Sequence, residues 1–370
     1  ARTGAIAPLC TLVREGSPQT KEQCASAIWA LTYENAPNKA TVAKLGGVEP
    51  LVGLLVAGTT AKSSSNAAGA LASLASKHSD NRTAIAKRLV GLLNAKDPKK
   101  ACRVLTALAG LCDNAPNQVA IAKAGGIPPL ITWLGSMSES AQTEAARALL
   151  AVAADNLTTQ ALVAKFEGIP PLITLIAKAK VETAKEHAAM ALWHLASSAE
   201  SQAAIADAGG IPPLVTMLSA PGQRASELAA VTIVRLCRDN RRVSRQVADV
   251  GGIAPLVRLL ANGSSYAQQQ AAAALSELAL LSDNRELIAT SGGIEPLVRL
   301  LSCPTKGTAE LAARALGHIA RNRDADDAPK EEDGGGGGRV VGSPKLARGG
   351  TNAKGGGAGA AARAAAGAAA

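Results

Sequence analysis

Three side chains capable of chemistry share one stripe. His187, Met190 and His194 follow the i, i+3, i+7 spacing of a helix face. Imidazoles so placed could bind a metal or respond to pH. Two His without a Cys or carboxylate partner on the same stripe make a poor metal site, so they read as partly exposed imidazoles on a polar face. A second concentration is cationic. Arg224, Arg235, Arg238, Arg241, Arg242 and Arg245 fall close together, with Glu227 and Asp239 as the nearby acids. Arginines can hold carboxylates in a bidentate fork, so this cluster points to an acidic protein partner. The cysteines Cys10, Cys24, Cys102, Cys112, Cys237 and Cys303 form no CxxC pair. They read as small buried hydrophobes of a reducing compartment. No phosphate loop and no recognisable Ser or Cys nucleophile motif occurs. These observations predict a non-enzymatic protein with no cofactor and no metal. The net charge of +10 is modest for 370 residues, and aromatics make up only 2%. Nucleic acid is therefore a weak partner class, because single strands are held by stacking platforms.

The elements that must position these residues come from a repeat. Gly46-Gly47-Val48-Glu49-Pro50-Leu51 returns as Gly125-Gly126-Ile127-Pro128-Pro129-Leu130, as Glu167-Gly168-Ile169-Pro170-Pro171-Leu172 and as Gly209-Gly210-Ile211-Pro212-Pro213-Leu214. Further copies start at Gly251 and Gly292, and a partial copy at Gly4. The marker Ile or Val stands at 6, 48, 127, 169, 211, 253 and 294, a period of 41 or 42 with one step of 79. That long step is two periods lacking five residues. The shortened copy runs from Ile85 to Leu93. Each period predicts a short helix stopped by the Gly pair, a second helix started by proline, a polar turn, and a long third helix. In the fourth repeat the third helix is expected over about Ala141 to Ala153. No unit buries its apolar face alone, so the repeats must stack. Eight repeats are traceable over 1–322, the first without its opening helix. The deletion in the third predicts a shortened or distorted second helix, with a kink or weak layer.

A three-helix unit of this period with Gly-Gly-Ile-Pro-Pro-Leu at its first junction resembles the armadillo repeat. Asn81-Arg82, Asp239-Asn240-Arg241 and Asp283-Asn284-Arg285 look like plant and protist armadillo proteins, among them vacuole-associated scaffolds and the armadillo halves of U-box ubiquitin ligases. The resemblance implies an all-α fold: a right-handed α-solenoid whose third helices line a concave protein-binding groove. It also implies an adaptor function, or the substrate-recruiting half of a ligase whose catalytic module lies elsewhere. In the nuclear-import adaptors of this family, the third helix carries a Trp and, four residues later, an Asn that clamps peptide backbone. The positions matching that Asn are Ala30, Ser73, Gly110, Ala151, His194, Arg235, Glu277 and His318. Those matching the Trp are Ser26, Gly69, Thr106, Arg147, Met190, Val231, Ala273 and Arg314. Neither ladder is present, which argues against import-signal binding. The expected partner-contact set is therefore Arg103, Arg147, His187, Met190, His194, Arg235, Arg238, Arg241, Arg242, Glu277, Arg314 and His318. Trp193 is expected to pack into its layer.

Composition changes near Arg323. Six acids between Asp324 and Asp333 precede five glycines and a Gly/Ala-rich stretch to Ala370. Residues 323–370 read as a disordered tail. No window is apolar enough for a transmembrane span. The expected location is intracellular, cytoplasmic or nuclear. A vacuolar membrane surface would apply if a lipidated segment preceded Ala1.

Overall fold

The computed structural model describes residues 4–58, 60–94 and 97–321. The predicted tail and the first three residues lie outside this range. Among the described residues the chain forms 22 helices and no strand. The first repeat contributes α1 (Ile6–Glu15) and α2 (Pro18–Thr32). The second is α3 (Ala36–Lys44), α4 (Val48–Ala57) and α5 (Ala61–Ala75), and the third is only α6 (Ser79–Leu92) and α7 (Pro98–Leu111). The fourth is α8 (Ala115–Lys123), α9 (Ile127–Leu134) and α10 (Glu139–Ala153). Next come α11 (Leu157–Lys165), α12 (Ile169–Lys178) and α13 (Glu182–Leu195), then α14 (Ala199–Asp207), α15 (Ile211–Met217) and α16 (Gln223–Cys237). The seventh is α17 (Arg241–Asp249), α18 (Ile253–Asn262) and α19 (Ser265–Leu278), and the eighth α20 (Ser282–Thr290), α21 (Ile294–Leu300) and α22 (Lys306–Ile319). The result is an α-solenoid. The third helices pack in file, each on the next, over a continuous core of Leu, Ile, Val and Ala.

The two junction glycines have different reasons. Gly46, Gly125, Gly209, Gly251 and Gly292 adopt φ between +70° and +79°, where a side chain is strained. In the fifth repeat Glu167 takes that conformation instead, at φ 57°. The second glycine is needed for space: a Cβ on Gly126 would lie 2.7 Å from the Ile121 methyl. Proline within the first turn then starts α9, α12 and α15 at no hydrogen-bond cost.

The third repeat departs from the expectation. It has no separate second helix. With the Gly-Gly-Ile-Pro-Pro block gone, first and second helices run on as the single α6, because nothing stops the first. Ile85 and Leu89 are buried along it, and Leu93 at its C-cap.

Successive layers are also joined by buried polar side chains of the first helices. Asn38, Asn81 and Asn117 donate to the carbonyls of Leu31, Leu74 and Leu111, at the end of the preceding third helix. Thr159 does the same to Val152, and Asn284 to Leu278. The next residue often reaches the end of its own repeat's third helix. Lys39 Nζ donates to Ser76, Gln118 to Ala151 and Ala154, Gln202 to Arg235 and Arg238, and Arg285 to Arg321. Helix C-terminal carbonyls lack partners within their own helix, and these bonds satisfy them away from water.

Candidate protein-binding face

The residues expected to contact partners lie mostly on the third helices, and their environments differ widely. Met190 and His194 are buried, at 6% and 5% exposure, so the expected exposed stripe is closed. His194 Nδ1 accepts the Asp155 N–H at 3.3 Å and lies 3.7 Å from the Asp155 carboxylate, one layer back. Burial pushes its pKa down to about 4, against the opposing pull of Asp155. His187 is half-buried. Its burial and the nearby Arg147 lower its pKa, with Glu144 and the Thr143 backbone opposing. Arg147 pairs with Glu144, which also accepts the Thr106 hydroxyl at 2.6 Å.

Arg235 is likewise turned inward. Its guanidinium lies 4.5 Å from the centre of the Trp193 ring, and its Nε donates to the Ala196 carbonyl. Trp193 is therefore not a fully buried packing residue but a part-buried platform for that guanidinium. His318 Nδ1 lies 2.9 Å from the Ser276 carbonyl, again one layer back. Three of the positions matching the adaptor Asn thus bind the preceding layer of their own solenoid. A free backbone clamp is missing there because the side chains are already engaged.

Arg103 does not reach this face. Its Nη1 donates to the Val56 carbonyl at the end of α4. Arg241 and Arg242 lie on the first helix α17, and Arg242 pairs with Asp207 of α14. Arg224 pairs with Glu186, whose carboxyl burial raises despite that guanidinium. The arginine cluster of the sequence is therefore divided between two faces. What stays open on the third-helix face is Arg238 and Arg314, both exposed, on either side of half-buried Glu277. Burial raises the Glu277 pKa, while Arg238 and Arg314 pull it down. The first two repeats offer a different surface. Trp29, 40% exposed, lies against Gly69 so closely that a Cβ there would sit 2.7 Å from its ring.

Four of the cysteines, Cys10, Cys24, Cys112 and Cys237, are buried thiols, and burial raises the Cys237 pKa to about 12. Among the described residues no three His, Cys, Asp or Glu side chains gather as a metal-binding group. No single described helix is long and apolar enough to cross a membrane.

The stacked three-helix layers, glycine-stopped first helices and aligned third helices define a helical-repeat solenoid with a side-chain-lined inner face. The model of the armadillo/beta-catenin-like repeat matches residues 114–150, 240–280 and 282–321, and the chain belongs to the armadillo repeat family. An engineered protein of solved structure is 30% identical with a TM-score of 0.61, over 63% of this chain and 96% of that one. The designed armadillo repeat protein YIII(Dq)4CqI is 23% identical with a TM-score of 0.60, over 63% and 99%. A related design, described in complex with the peptide (KR)4, is 23% identical with a TM-score of 0.58, over 63% and 98%. No curated protein matches the chain in sequence.

Proposed function

We propose that the chain is a docking scaffold that holds partner proteins on its third-helix face, with an acidic segment of the partner on repeats six to eight. The observation that carries this reading is the pair Arg238 and Arg314. Both are exposed, neither makes an ion pair among the described residues, and one half-buried carboxyl lies near both. A designed solenoid of the same fold is described with a basic peptide. Exposed cations at this end of the present face favour the opposite ligand charge. Binding spread over many contacts on a preformed surface needs no catalytic group.

The test is affinity capture with the full chain beside Arg238→Glu/Arg314→Glu. Arg235 is left intact because it holds two layers together. Partners that bind the parent and leave the variant, and that compete with an acidic peptide, support the reading. An unchanged partner set removes acidic docking from this end of the face.

A further inference from the structure

The first helices carry a charged row that the solenoid itself does not use. Val42, Ile121 and Val163 are buried apolar residues near the ends of the first helices of repeats two, four and five, and Ile85 holds the same place within the longer α6 of repeat three. Two positions later stand Lys44, Lys87, Lys123 and Lys165, all exposed. None of the four makes an ion pair among the described residues. At the same place repeats six, seven and eight have Asp207, Asp249 and Thr290. A cation suits the helix dipole at Lys44, Lys123 and Lys165, but the dipole does not account for the row, because Lys87 lies within α6 and two aspartates sit against the dipole in the same frame. Of the nearby acids, Glu49 is paired with Arg88, and exposed Glu167 stands two residues from Lys165.

Between α6 and α8 the row deepens into a cleft of about 450 Å³. Lys87 and Lys123 line it with Arg82, Thr83, Pro116 and Val119. Arg82 is steadied by donating to Asn117 at 2.6 Å. Packed helices lie ~8–10 Å apart, so four layers set the lysines in steps of that size over ~25–30 Å. A polyproline-type peptide rises ~3.1 Å per residue with three residues per turn, so every third side chain falls on one face ~9.3 Å apart.

We infer that the first-helix edge of repeats two to five is a second docking surface, for an extended acidic polypeptide segment with carboxylates near every third residue. The cleft between α6 and α8 takes one of its side chains. A recessed cleft suits a chain better than a flat lipid surface. Among the residues two or fewer places from these lysines, Phe166 is the only aromatic, too little to stack successive bases. This surface stands apart from the third-helix face, so the failure of either assignment leaves the other intact.

The test is fluorescence anisotropy with the full chain and a labelled peptide of about 12 residues, Glu at every third position, long enough to span four layers at ~3.1 Å per residue. The row variant reverses Lys44, Lys87, Lys123 and Lys165 to Glu. A control reverses Lys77, Lys99, Lys178 and Lys306, giving the same change in net charge. The expected result is at least a ~10-fold loss in the row variant and under ~2-fold in the control, with both losses shrinking in salt. A set of four Lys→Gln changes, with unaltered circular dichroism, should lose an intermediate amount and guards against misfolding. Equal losses in row and control variants, or no binding by the parent, overturn the inference. So does row-dependent binding of phosphatidylserine vesicles or an oligoribonucleotide in preference to the peptide, which would assign the row to a membrane or to RNA.

Discussion

The third-helix face and the first-helix edge use their polar residues in opposite ways. On the third helices, His194, Arg235 and His318 reach back one layer and bind backbone or carboxylate there. On the first-helix edge, the buried polar residues do that joining, while Lys44, Lys87, Lys123 and Lys165 make no ion pair among the described residues. A repeat position becomes available to a partner only when the solenoid's own stacking does not need it. Position in the repeat alone does not decide this.

Four measurements would break or sharpen this contrast. Gln202→Leu removes the donor to the Arg235 and Arg238 carbonyls, at the end of its own repeat's third helix, and the acceptor for the Asn240 amide, where the next repeat starts. It should lower stability in urea unfolding by about 2–3 kcal/mol, and a loss under about 0.5 kcal/mol would deny that these bonds hold the layers.

The second is pH. Folding depresses the His194 pKa to about 4, below its ordinary 6.5, so the unfolded chain binds the proton more readily. The stability this histidine contributes is complete above pH 6.5 and declines as pH falls toward 4. The decline should be about 2 kcal/mol after allowing for the exposed Asp155 carboxylate nearby. In His194→Gln this part of the acid sensitivity should vanish. If unfolding midpoints of parent and variant fell in parallel with pH, His194 would not be the source.

Third, Arg235→Ala gives up the Trp193 stack and the Ala196 bond, for about 1–2 kcal/mol. Its Trp193 emission should change as the ring is uncovered, and a silent spectrum would show that the stack is not populated. The smallest effect belongs to the other face. Lys123→Ala should change stability by less than about 0.5 kcal/mol, measured by the same unfolding. A larger loss would place Lys123 among the residues that hold the fold.

Much of this fold is legible in the sequence. The period, the Gly pair and the proline start follow from helix-end chemistry, and α10 begins only two residues before its expected start. What escaped was the use made of polar residues. Asn117 and Gln118 look like the open turn of an exposed short helix, yet both are nearly fully buried. A signal was present, since a polar pair recurs three and four residues before each first helix's last buried apolar residue in most repeats. The partner-contact set mixed three fates for a related reason. Charge and spacing place Arg235, Arg238 and Arg242 together, but only the fold shows one on a tryptophan, one in solvent and one paired across first helices.

The length of the deletion in the third repeat has its own logic. From Ile121 to Leu130, the buried residues on either side of the fourth repeat's junction, the chain advances nine positions (130 less 121), and from Ile85 to Leu89 it advances four (89 less 85). Four positions are ~400° of rotation, close to one full helical turn, so the side chains on either side of the excision still point the same way. Had one residue fewer been removed, five positions would have carried Leu89 and everything after it ~140° from the direction of Ile85. The loss of this block preserves angular phase, so two helices become one and the buried side of the repeat stays buried.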